Sequence, residues 1–118
     1  MIQNITIGGK ERPIRIGMAA LAQFEQQTGE SFIKGFKLDA FKLYDLALLI
    51  RLGLISGARQ HNDAAAVEEV PDVDGVLDWM DDAGDIATFV TVIASQLQSI
   101  AGKAKEGVAE KNVKGPKK

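Results

Sequence analysis

The chain has 118 residues, 46% hydrophobic and 25% charged, with a formal net charge of −2, the make-up of one ordinary globular domain with a modest core. It contains no cysteine, which excludes disulfides and thiolate metal sites. No basic stretch leads into an apolar one at its start, and the central run LALLI stops at Arg51; a spanning helix needs about 20 predominantly apolar residues, so neither a secretory signal nor a membrane span is expected.

Ile5 and Ile7 alternate with polar residues, as do Ile14 and Ile16, and Gly8-Gly9 lies between the two runs. This is the period of half-buried strands joined by a tight turn, and it predicts a β-hairpin over about 2–7 and 11–16. Pro13 donates no ladder hydrogen bond, so the second strand is expected at an edge or paired on one side only. Gly17 breaks the strand. Met18, Leu21, Ala22 and Phe24 then fit one helical face and Gly29 a C-terminal stop, giving a helix at about 18–28. A connector with Phe32 and Phe36 as anchors leads to Asp39, a suitable cap for a helix at about 40–58.

That second helix carries Phe41, Tyr44, Leu46, Leu48, Leu49, Ile50, Leu52, Leu54 and Ile55, apolar nearly all round. Such a helix is central in a core or part of an interface; in so small a domain, some of its surface is expected to meet another chain. Residues 59–71 read as an exposed connection. Val73, Val76, Leu77 and Met80 predict a third helix at about 73–82, with Asp72 or Asp74 favouring its start. Gly84 ends it, Asp85 caps the next, and Ile86, Phe89, Val90, Ile93, Leu97 and Ile100 form a stripe over about 85–101. Beyond that, GKAKEGVAEKNVKGPKK has too few apolar residues to offset its ordering entropy. The expected fold is α+β, mostly α: a hairpin, four helices, one globular domain at 1–101 and a disordered lysine-rich tail at 102–118.

Charge is unevenly spread. Residues 62–85 hold nine acids and no Lys or Arg, whereas the tail holds Lys103, Lys105, Lys111, Lys114, Lys117 and Lys118 against two glutamates. Sites of chemistry are sparse. His61 in RQHND has no adjacent serine and reads as a solvated loop residue. DVDG at 72–75 begins like a calcium loop, but such a loop needs glycine sixth and Glu twelfth; here glycine is fourth and the twelfth residue is Ala83. No phosphate-binding loop is present. GLISG at 53–57 reads as close packing. No titratable cluster converges on one pocket, so no enzyme activity, cofactor or metal is expected. The tail could contact phosphates, which would make the chain a small nucleic-acid-associated regulator; it lacks aromatics for base stacking, and the acidic body disfavours that partner. Loss of salt-sensitive DNA retention on removing 102–118 would mark that alternative.

The hairpin IGGKERPIRIG runs into MAALAQFEQQTG, with Met18, Ala20-Leu21, Phe24-Glu25 and Gly29, and a later helix LYDLALLIRLGLISG carries Asp45, Leu46, Leu48, Leu49, Gly53 and Leu54. In these features the chain resembles the tail assembly chaperones of long-tailed bacteriophages, over residues 5–57 and in outline over 72–101. The resemblance implies a non-enzymatic protein of the host cytoplasm that is absent from the mature virion. It would bind the tape measure protein, itself long, helical and apolar, and help recruit major tail tube subunits; self-association is a further option. It also implies a longer product made by minus-one ribosomal frameshifting. Gly115-Pro116-Lys117 can be encoded GGC-CCA-AAA, which contains a slippery heptamer. Residues expected to touch a partner, by helix-in-groove recognition, are Phe32, Phe36, Tyr44, Leu48, Leu52, Ile55 and Trp79.

Overall fold

The computed structural model describes residues 2–29, 31 and 42–112, with side chains through residue 100. Its described elements are β1 (Gln3–Ile7), β2 (Lys10–Ile14), α1 (Met18–Thr28), α2 (Leu43–Gln60), α3 (Ala64–Glu69), α4 (Val73–Ala83) and α5 (Ile86–Asn112). The expected class holds: an antiparallel two-stranded hairpin followed by helices.

Gly8 and Gly9 both take positive φ, 64° and 84°, the two-residue turn that matches strand twist. The register pairs Gln3 with Ile14, Ile5 with Arg12 and Ile7 with Lys10, so Ile5, Ile7, Ile14 and Ile16 all face the core. The second strand ends at Ile14 rather than 16 because the chain then turns to other partners. The Arg15 N–H donates to the Gly53 carbonyl at 3.0 Å, and the Ile16 N–H donates to the Gln96 side chain. Gly17 is the strand-to-helix junction, with extended backbone, and α1 begins at the next residue. At its far end Gly29 (φ 81°) donates its N–H to the Glu25 carbonyl. Ala20, Leu21 and Phe24 are the buried face of α1, while Met18 is 70% exposed and Ala22 is also exposed. At 100° per residue, Met18 and Ala22 both fall beyond one end of the buried arc, which is narrower than the periodicity suggested.

The center of the molecule is α2. Asp39 and residues 40–41, the expected cap and first helical positions, lie outside the described residues; α2 is described from Leu43, and the Asp45 carboxylate accepts the Lys42 N–H at 3.2 Å. The helix buries ten of its eighteen residues and packs against β2, α1, α3, α4 and α5. This corrects the expectation of surplus apolar surface along its length. Among the described residues, its large exposed apolar side chains are Leu43 and Tyr44, 59% and 55% exposed at the first turn. Small residues make the enclosure feasible. A Cβ on Gly57 would sit 2.5 Å from the Pro13 carbonyl oxygen, and one on Gly53 would meet Ile14 and Ile16 below 3 Å. The GLISG spacing therefore marks the strip where β2 lies directly on the backbone of α2.

The stretch expected to be an exposed connection contains α3. Asn62 takes a left-handed conformation (φ 55°) and the Asp63 N–H bonds back to the Ala58 carbonyl at 3.0 Å, closing α2. The Asp63 carboxylate then accepts the Ala66 N–H at 3.0 Å and caps α3. Good helix formers, AAAVEE, complete the turn, but no residue of α3 is buried, so no apolar period announces it. Asp72 caps α4 by accepting the Gly75 N–H at 2.9 Å, Gly84 (φ 66°) ends it, and Asp85 accepts the Thr88 N–H at 3.3 Å at the start of α5. On α5 the buried stripe is Phe89, Val92, Ile93, Gln96 and Leu97, whereas Ile86 and Val90 are 46% and 36% exposed. The helical backbone of α5 runs on to Asn112, past the expected end at 101. Its last part, rich in Ala, Lys and Glu, has helix propensity without an apolar stripe.

Candidate functional site

Among the described residues, those expected to touch a partner do not converge. Leu48 and Leu52 are each 4% exposed and belong to the core cluster, so in this fold they are out of a partner's reach. Ile55 is half-buried, and Tyr44 stands exposed at the other end of α2. Phe32 and Phe36 lie outside the described residues. So do Lys114, Lys117 and Lys118, while Lys103, Lys105 and Lys111 are described by backbone alone. His61 is exposed in the turn after α2. Asp72 serves as a helix cap, and among the described residues no group of His, Asp or Glu side chains is placed to hold a metal ion. No described helix is long and apolar enough to cross a membrane.

Two polar side chains organise the face formed by the hairpin, α3, α4 and α5, and pattern reading passed over both. Arg12 is 7% exposed, on the same strand face as Ile14 and Ile16. Its Nε donates to the Ile7 carbonyl at 2.8 Å and one Nη to the Gly8 carbonyl at 3.0 Å, so it satisfies the turn's own acceptors. The other Nη meets the Glu69 carboxylate at 2.7 Å, and Lys10 reaches the same carboxylate at 3.0 Å. The two cations hold the Glu69 carboxyl below its usual range, the Arg12 hydrogen bond foremost. The guanidinium carbon lies 4.4 Å from the centroid of the Trp79 ring, within cation–π range. The same ring presses on the turn, where a Cβ on Gly8 would come within 2.8 Å of it. The signal in the sequence was parity: counting by twos from Ile14 puts Arg12 inward, and an inward cation calls for an acid.

Gln96 is the second organiser, 1% exposed. Its side-chain oxygen accepts the Ile16 N–H, and its nitrogen donates to the Ile14 carbonyl at 3.0 Å and to the Gln3 side chain at 3.3 Å. One amide thus takes the place of a strand's backbone at the end of β2. Its signal was a glutamine inside the apolar stripe between Ile93 and Leu97.

Two surfaces remain open on this face. Asp74, Asp78, Asp81, Asp82 and Asp85 are all exposed, a solvated acidic flank on α4 and the turn after it. Beside it runs an open groove of about 490 Å³, lined by Thr6, Ile7, Gly8 and Gly9 of the hairpin and by Trp79, Asp82 and Ala83 of α4.

Comparison with known proteins places this arrangement in a family. The family model described as phage tail tube protein, GTA-gp10, matches residues 3–100, from the first residue of β1 to the end of the apolar stripe on α5. No curated protein and no solved structure matches the chain. The chain belongs to the phage tail family described as phage tail tube protein, GTA-gp10.

Proposed function

We propose that the chain is a non-enzymatic tail assembly chaperone, which binds the tape measure protein in the host cytoplasm and helps recruit tail tube subunits. The observation that carries this reading is the phage tail family match over residues 3–100, together with the resemblance of the hairpin, α1 and α2 to such chaperones. The physical features suit the role. The acidic flank on α4 favours solubility of a complex with an apolar partner. Leu43 and Tyr44 supply exposed apolar contact at the start of α2. A longer frameshifted product belongs to the same proposal.

A second reading, that the chain is itself a tube subunit, is favoured by the family's description. Co-expression separates the two. The chaperone reading expects the tape measure protein to move from the pellet to the soluble fraction when this chain is present, and to co-elute with it. A tape measure protein that stays insoluble, while the purified chain alone forms tubes in electron micrographs, would support the second reading instead.

A further inference from the structure

We propose that the outer edge of β1, with the groove beside α4, is a docking site for an extended basic segment of a partner protein, which adds to the hairpin as a third strand. The two-residue turn makes Ile7 and Lys10 a pair that exchanges both backbone hydrogen bonds. Alternation then makes Ile5–Arg12 and Gln3–Ile14 the other bonded pairs. The N–H and carbonyl groups of Asn4 and Thr6 therefore point away from β2. Both residues are exposed, and no described residue hydrogen-bonds to either backbone.

The opposite edge of the hairpin is closed from Pro13 onward, while Glu11, nearer the turn, is exposed. Pro13 has no N–H to offer, its carbonyl lies against Gly57, and the Arg15 N–H is taken by Gly53. Charge and proline are common devices for blunting a strand edge. β2, KERPI, carries both, and β1, QNITI, carries neither.

The groove supplies the second half of the site. It continues the β1 edge from Thr6 through Gly9 and is walled on its far side by Trp79, Asp82 and Ala83. An edge strand flanked by a helix is the arrangement in which an added strand gains main-chain hydrogen bonds and places alternate side chains in the groove. The far wall sets the occupant's chemistry. α4 carries Asp74, Asp78, Asp81 and Asp82 and no Lys or Arg. A lysine or arginine fits there, its aliphatic stem along the indole of Trp79 and its charge toward Asp82.

The test uses a synthetic peptide of about eight residues, strand length, alternating valine or threonine with lysine, and a control with glutamate for lysine. At ten times its Kd, the lysine peptide is expected to slow amide hydrogen exchange of Asn4 and Thr6 about tenfold and to shift Trp79 fluorescence; the glutamate peptide is expected to do neither. Thr6→Pro removes an outward donor without touching the ladder and should abolish binding. Asp82→Lys, at an exposed position that keeps the fold, should reverse the preference between the peptides. Unchanged exchange at Asn4 and Thr6 overturns the proposal, as does equal protection by both peptides. A dimer of the chain alone that dissociates on Thr6→Pro also overturns it, because a second copy would then be the occupant.

Discussion

The two sides of the hairpin differ in kind. β2 is walled in from Pro13 on: α2 lies so close that a Cβ at position 57 would strike the Pro13 backbone, and the end of the strand is held by Gln96. β1 pairs on one side and presents uncharged backbone on the other. Packing accounts for the closed side. On the open side, next to a groove and an acidic helix, no described residue bonds to the backbone of Asn4 or Thr6. In a small domain a helix apolar nearly all round, such as α2, need not be an interface, since close-approach glycines allow it to be enclosed.

Substitutions on the closed side should have the largest effects. Leu52→Asp places a charge in the core and should destabilise by more than about 4 kcal/mol, with fold and partner capture lost together in circular dichroism and pull-down. A folded Leu52→Asp protein that loses only its partner would return that residue to the interface. Gly57→Val drives a side chain into the Pro13 carbonyl and should cost about 3 kcal/mol by urea unfolding; a near-neutral result would mean that the seam between β2 and α2 is loose.

Much of the fold could be read from the residues themselves. The hairpin, α1 and the caps at Gly29, Asp72, Gly84 and Asp85 follow from glycine conformation and short-range capping, which act within a few residues. α3 was missed because capping and propensity make it, not burial. The backbone of α5 past residue 101 rests on helix propensity in the same way, with no apolar stripe to mark it. The burial of Leu48 and Leu52 depends on which elements surround α2, a tertiary fact that no window of sequence contains. The groove joins residues 6–9 to residues 79–83, and nothing local links them.

The remaining effects grow smaller toward the open side. Gln96→Ala leaves the Ile16 N–H and Ile14 carbonyl without their partner and should cost about 2 kcal/mol. Gln96→Glu, of nearly the same size, should cost at least as much, because a buried carboxylate oxygen would face the Ile14 carbonyl where the amide nitrogen donated, which separates hydrogen bonding from packing. Glu69 gives a small acid dependence. Its folded-state pKa lies below the ordinary 4.5, so its contribution is fully present above that value and is lost as pH falls through the lower one. Glu69→Gln should flatten that part of the pH–stability curve, and an unchanged curve would mean that the ion pairs with Arg12 and Lys10 contribute nothing. Tyr44→Ser, at the exposed start of α2, should change stability by less than about 0.5 kcal/mol; a larger loss would place Tyr44 in the core.

Whether the chain assembles tails or becomes part of them is tested most directly by quantitative mass spectrometry of purified phage particles beside the infected-cell lysate. An assembly chaperone is abundant in the lysate and absent from the particle. Recovery of this chain from particles in amounts matching the tube subunits would contradict that role.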